Sequence, residues 1–232
     1  MTSQVPHQKS SRQPEVRWPA WVALFITALL YEGLPKILYW GPHGLMISLI
    51  SVLIIPLIIT HWRRHSRINR ILGLSVNILI TLYLIVSVIR IVVGIMNGYI
   101  GPAHLLISAT ALWTTNILVF ALWYWNLDAG GPHQRELNEG HGIAAFLFPQ
   151  TQISLTASNV PHAVKQWEPN FIDYLFLAFN TSIAFSPTDT PVLTRWAKCM
   201  SMIQAMISLT IISMLAARAI NIITPAANYL VS

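Results

Sequence analysis

The sequence predicts an all-α, polytopic bundle of about six membrane-inserted helices that ends in a pore-like helical hairpin. Of the 232 residues, 54% are hydrophobic and only 9% are charged, with a mean hydropathy of +0.57. An ordinary soluble domain carries about 25% charged residues, so this chain has too few to clothe a water-facing surface. The apolar residues fall in long continuous runs joined by short polar segments. A helix crosses a bilayer with roughly 20 apolar residues, whereas a barrel would show alternating strands of about ten. The basic residues, finally, cluster beside the runs, where cytoplasmic topology signals belong.

Four regions follow: a polar tail at 1–17, a four-span bundle at 18–126, a polar connection at 127–170, and a terminal module at 171–232. Within them the spans read as 19–40, 43–61, 71–96 and 103–126, then a less apolar segment at 171–188 and a last span at 197–223. The tail holds Lys9, Arg12 and Arg17 but lacks the apolar core of a signal peptide, so the first run reads as a retained anchor. Trp18 and Trp21 open that run, at the interface that amphipathic rings prefer. Near its outer end Glu32 and Lys36 stand four apart, a spacing for an intramembrane or interfacial charge pair. Gly33 and Pro35 break the helix there.

Pro56 kinks the second span, and the loop after it carries Arg63, Arg64, Arg67 and Arg70. These four arginines set topology and, with the tail, put the N-terminus in the cytoplasm. Asn77 and Arg90 lie in the third span, Asn116 in the fourth and Asn221 in the last. The asparagines suit hydrogen bonds between helices, while Arg90 and Arg218 suit snorkelling anchors. The uncharged joint 97–102 fits the outside, and Trp123-Tyr124-Trp125 returns the chain to the cytoplasmic interface. In the connection 127–170, the short apolar patch Ile143–Phe148 ends at Pro149. It is too short to span, and lies in the interface or docks on the bundle.

Several function classes drop out. The net charge of +6 comes with no folded basic platform, which argues against nucleic acid. Cys199 is alone, so it makes no internal disulfide and reads as a small filler at a helix start. His43, His61, His65, His104, His133, His141 and His162 lack the spacing of a metal or proton-relay motif. No nucleophile–base set and no phosphate-cradling glycine loop is present, so neither an enzyme nor a cofactor protein is expected.

The segment from Trp167 to Asp189 differs from the rest. It is apolar and aromatic to Phe179, turns polar at Asn180, Thr181 and Ser182, and leaves through Ser186, Pro187, Thr188 and Asp189. Asn180, Thr181, Ser182, Ser186, Thr188 and Asp189 are the candidate pore-lining groups. The run FIDYLFLAFNTSIAFSPTDTPVLTRWAKCMSMIQAMISL distantly resembles the pore helix, filter and inner helix of tetrameric potassium-type channels, with the filter mapping on Thr181 to Asp189. Over most of its length the chain resembles a bacterial family of multi-spanning inner-membrane proteins without an assigned function. The shared features are paired spans, a basic loop, a fourth span like LWTTNILVFALWYW and the terminal FIDYLFLAFNTSIAFSPTDTPVLTR module. That likeness implies residence in the bacterial inner membrane, with the lipid bilayer as partner and a homo-oligomer if a pore is shared.

Two physical points shape the channel reading. Residues 180–189 contain no glycine, and Pro187 restricts its own φ and that of Ser186, so a ladder of axial carbonyls is excluded. The positive-inside rule also returns the fourth span to the cytoplasm, whereas a standard pore loop enters from outside. Full or nearly full insertion of 171–188 is therefore expected, giving six spans. The alternative is a re-entrant loop with five crossings. A non-conducting reading stands beside conduction: the hairpin is then a packing or partner-binding module, with Thr188 and Asp189 capping the last helix.

Overall fold

The computed structural model describes residues 15–38, 41, 42, 44, 47, 48, 51, 52, 66–137, 144–156, 161, 167–186 and 189–229. Its helices, in order, are α1 (Trp18–Glu32), α2 (Ser66–Met96), α3 (Pro102–Leu127), α4 (Pro132–Leu137), α5 (Pro149–Thr156), α6 (Phe171–Ala184) and α7 (Arg195–Tyr229). A 3-10 turn, Asp128–Gly130, joins α3 to α4. Among the described residues the β-pairing is confined to one antiparallel bridge, Phe146 to Val192. The predicted second span at 43–61, with Pro56, lies almost wholly outside the described residues, as do Lys9, Arg12, Arg63 and Arg64.

Among the described residues three stretches are long and apolar enough to cross a membrane: Arg70–Met96, Ala103–Arg135 and Arg195–Ala217. They differ in what surrounds them. The apolar windows of α2 and α7 are only 33% and 22% buried, whereas that of the stretch containing α3 is 67% buried. Ile78, Leu82 and Ile89 of α2 and Met202, Met206 and Leu209 of α7 all face outward. In water such a surface would aggregate; in lipid it is ordinary solvent contact. α3 is apolar around its full circumference, from Ile117 through Leu122, and becomes the axis of the bundle. It packs against α1, α2, α6 and α7.

α1 begins with Pro19 in its first turn, where the missing N–H costs nothing. It ends at Glu32, and Gly33 and Pro35 turn the chain, as their residue types predict. The following residues lie along α2: the Ser87 hydroxyl donates to the Leu38 carbonyl at 3.0 Å and lies 3.3 Å from the Tyr31 hydroxyl. α3 runs antiparallel to α2, so Gly73 near the start of one faces Asn126 near the end of the other. Higher in the pair, Trp123 Nε1 donates to Thr81 Oγ1 at 2.8 Å. Arg17, Arg70 and Gly131 thus gather at one end, called here the arginine end.

Candidate functional site

At the arginine end α3 finishes in the sequence Asp128-Ala-Gly-Gly-Pro132. The turn is tight: Ala129 has φ 49° and Gly131 φ 92°, and a Cβ on Gly131 would come within 2.7 Å of the Asn126 carbonyl. Only glycine fits there without strain. The turn leaves the Asp128 side chain inside the protein, 1% exposed, where an unpaired carboxylate would be costly. Two donors from other segments meet it: the Ala145 amide donates to Oδ1 at 2.6 Å and the Tyr174 hydroxyl to Oδ2 at 2.7 Å. One buried carboxylate therefore ties together the end of α3, the segment before α5, and α6.

Arg135 closes the cluster from α4. Its guanidinium donates to the carbonyls of Trp125 (3.0 Å) and Asp128 (2.8 Å), pairs with both Glu15 oxygens at 3.1 Å, and lies 5.3 Å from the centre of the Tyr174 ring. Glu15 also accepts the Trp125 indole N–H. Burial pushes the Glu15 carboxyl above its ordinary value of 4.5; the Arg135 charge and the indole bond pull it back without cancelling that rise.

α6 starts with a capping box: the Asn170 side chain accepts from the Ile172 amide, and the Asp173 carboxylate accepts from the Asn170 amide. Helical spacing puts Phe171, Tyr174, Leu177, Ala178, Thr181 and Ser182 on its buried face. It stops at Phe185, which takes the left-handed conformation with φ 56°.

The Phe146 ring contacts Tyr174 near the start of α6 (6.3 Å) and Trp196 near the start of α7 (6.0 Å). Further along both helices, Gln204 Nε2 donates to the Ala178 carbonyl at 2.6 Å and to Ser182 Oγ at 2.8 Å. α6 and α7 therefore start at the same end and run in the same direction. The fourteen residues of α6 advance about 21 Å, and the chain must come back before α7 begins. Back at that end, residues 191–193 pair with the segment before α5: Leu147 N–H donates to the Pro191 carbonyl and Leu193 N–H to the Ala145 carbonyl.

The expected full crossing by 171–188 would leave α6 and the last helix antiparallel; the two instead lie parallel, both starting at the arginine end. The cause is the patch around Phe146 and Phe148, 1% and 5% exposed, which docks on the bundle and holds both ends of the hairpin.

Of the six candidate lining residues, the hairpin brings two into the interior. Thr181 Oγ1 donates back to the Leu177 carbonyl at 2.8 Å, and Ser182 accepts from Gln204. Asn180 is half-buried, Ser186 and Asp189 are exposed, and Thr188 lies outside the described residues. Asp189 does not cap α7, because that helix starts six residues later at Arg195. Cys199 is exposed on α7 rather than a filler inside it. Both oxygens of Glu32 lie 3.0 Å from the Gly44 amide, and Lys36 is exposed in the turn. Arg67 is in the first turn of α2, and Arg70 is exposed beside a cavity.

Asn116 bridges helices as its type suggests, donating to the Gln204 carbonyl and to Ser208 Oγ. Tyr124 donates to Gln204 Oε1 at 2.6 Å, completing a polar knot among α3, α6 and α7. Asp128, Arg135, Tyr174, Glu15 and Gln204 were not singled out from sequence. Two signals point to Asp128 and Gln204: a carboxylate one residue ahead of Gly-Gly-Pro at a helix end, and Ser201, Gln204 and Ser208 on one face of an apolar helix. Among the described residues no group of three or more His, Cys, Asp or Glu can hold a metal ion. No family model, curated protein or solved structure matches the chain.

Proposed function

We propose that the chain is a multi-pass integral protein of the bacterial inner membrane, with a cytoplasmic N-terminus and a re-entrant hairpin that supplies one subunit's share of a channel-like path. The observation that carries this reading is the parallel start of α6 and α7 beside Phe146, with Leu193 paired back to Ala145 at that same end, which supports re-entry over a full crossing. Irregular backbone at membrane depth survives only when buried in protein or lining water. Ser186 and Asp189 are exposed in the single chain, so the path they line is one shared between copies. Thr181 and Ser182 hold the hairpin rather than line it.

The hairpin enters from the arginine end, which the positive-inside rule assigns to the cytoplasm. That is opposite to the potassium-type arrangement. With no glycine in 180–189 the path is side-chain lined, and its selectivity is that of a carboxylate ring rather than a carbonyl cage. In proteoliposomes the purified protein should carry a cation flux, and Asp189→Asn should lower it several-fold without loss of folded protein. Absence of flux for common cations and anions, from protein that is folded and inserted, would sink the conduction reading.

The bland alternative has its own observation. The knot around Gln204 fills the space among α3, α6 and α7, as a hairpin used purely for packing or partner binding would. Under that reading Asp189→Asn changes neither flux nor stability.

A further inference from the structure

A cavity of about 210 Å³ opens at the arginine end between α1, α2 and the turn after α3, apart from the hairpin and its polar knot. An apolar cavity of about 150 Å³ is enough to hold a benzene ring, so this one admits a six-membered ring with substituents. Its wall carries three carboxamides, Asn77, Asn126 and Gln134, together with the indoles of Trp21 and Trp125. Asn77 is 2% exposed, and among the described residues its amide nitrogen has no hydrogen-bond partner. Gly73 precedes it by one turn and so shares its face of α2. A Cβ added at Gly73 would lie 3.9 Å and 4.0 Å from the oxygen and nitrogen of the Asn126 carboxamide. The helix thus brings Asn77 and Asn126 to one stretch of wall, and Gly73 puts no side chain beside them.

Burying an amide without a partner is costly, and an aliphatic side chain at 77 would avoid that cost. Arg17 and His133, which also line the cavity, are engaged in interactions of their own, Arg17 with the charge of Glu15. The unmet hydrogen-bonding capacity is that of a carboxamide. Such a group offers a donor and an acceptor side by side on one plane. Its complement is a carbonyl beside an N–H, met by two parallel bonds, as Asn and Gln meet the edge of adenine. Aromatic side chains give planar rings a surface on which to stack. We infer that the cavity binds an uncharged planar ring bearing an amide edge, the chemistry of a pyrimidine base or a cyclic ureide. The Asn77 amide nitrogen donates to the ring carbonyl. The site rests on the fold alone, on neither membrane orientation nor conduction.

The test is equilibrium dialysis of the full chain in detergent against radiolabelled uracil and radiolabelled hydantoin. Uracil should bind saturably, one molecule per chain. As a competitor 1,3-dimethyluracil, which keeps the ring but lacks both N–H groups, should be weaker than unlabelled uracil by about tenfold or more. Asn77→Leu should weaken binding by about fivefold or more, the effect of one buried hydrogen bond. It should not lower the melting temperature of the unliganded chain, because the amide nitrogen it removes has no partner there. Gly73→Ala, whose Cβ meets the Asn126 carboxamide only at ordinary contact distance, should narrow the space and weaken binding as well. Saturable binding of hydantoin in preference to uracil also supports the site and makes its ligand a ureide. No saturable binding of either ring, binding undiminished in both variants, or equal affinity for 1,3-dimethyluracil overturns the proposal. Flux measurements play no part, so failure here is distinguishable from failure of the channel reading.

Discussion

Tyr174 brings its hydroxyl from the first turn of α6 to a carboxylate at the far end of α3, 46 residues earlier in the chain. Removing that donor leaves Asp128 Oδ2 short of a partner in a dry site, a loss on the order of 1–3 kcal/mol. Tyr174→Phe should therefore lower the melting temperature in detergent measurably. A substitution at exposed Ile172 on the same helix turn, such as Ile172→Leu, should leave it unchanged. Glu15 offers a pH readout. Its carboxyl is raised in the folded chain by burial, so the folded state binds this proton more tightly than the unfolded one. Its contribution is fully present below the ordinary value of 4.5 and falls as pH rises through the raised value. Across that window the stability gap between wild type and Glu15→Gln should shift against wild type as pH increases. A gap that stays flat, or moves the other way, would contradict the assigned direction.

The proposed re-entry of α6 makes a prediction that no amphipathic or apolar pattern makes. In a Cys199→Ser background, single cysteines at Asn170 and Asp189 should react with a membrane-impermeant thiol reagent from the same side as one at Arg70. A full crossing would put Asn170 and Asp189 on opposite sides. Sequence made α2, α3 and α7 plain because each is a long apolar run bounded by Arg, Gly-Pro or Trp signals. It made the end of α1 plain because Gly33 and Pro35 are local breakers. It did not make the reversal plain, because the reversal depends on a bridge between Phe146 and Val192 and on two amide bonds from residues far apart in the chain. Hydropathy reports how apolar a segment is, not which end of the bundle its exit is tied to. The patch ending at Pro149 left both an interfacial position and docking on the bundle open in sequence; that Phe146 and Phe148 dock against Tyr174 is a tertiary fact.

At the scale of the whole molecule, the described residues include two interior polar clusters that tie several segments together: the Asp128 cluster at the arginine end and the Gln204 knot deeper in. Gln204→Leu removes the donors to Ala178 and Ser182 and the acceptor for Tyr124. Interhelical hydrogen bonds in membranes average about 0.6 kcal/mol each, so the three together should cost about 2 kcal/mol. Equilibrium unfolding in bicelles would read that loss, with exposed Met206→Leu near zero as the comparison. The same knot was half legible in sequence: Asn116 stood out as a polar residue in an apolar run, while Tyr124 was read only as an interfacial ring.

The direction of α6 has a further electrostatic meaning. Its amino end is capped by the Asn170 and Asp173 side chains at the arginine end, and its carboxyl end stops at Phe185 inside the height of the bundle. A helix carries roughly half an elementary negative charge at its carboxyl end. The short helix therefore delivers a partial negative potential to the depth where the chain turns, without placing a carboxylate there. In the bilayer proposed above, such a fixed dipole favours a cation over an anion beside the end of α6, and it does so whether or not Asp189 is ionised.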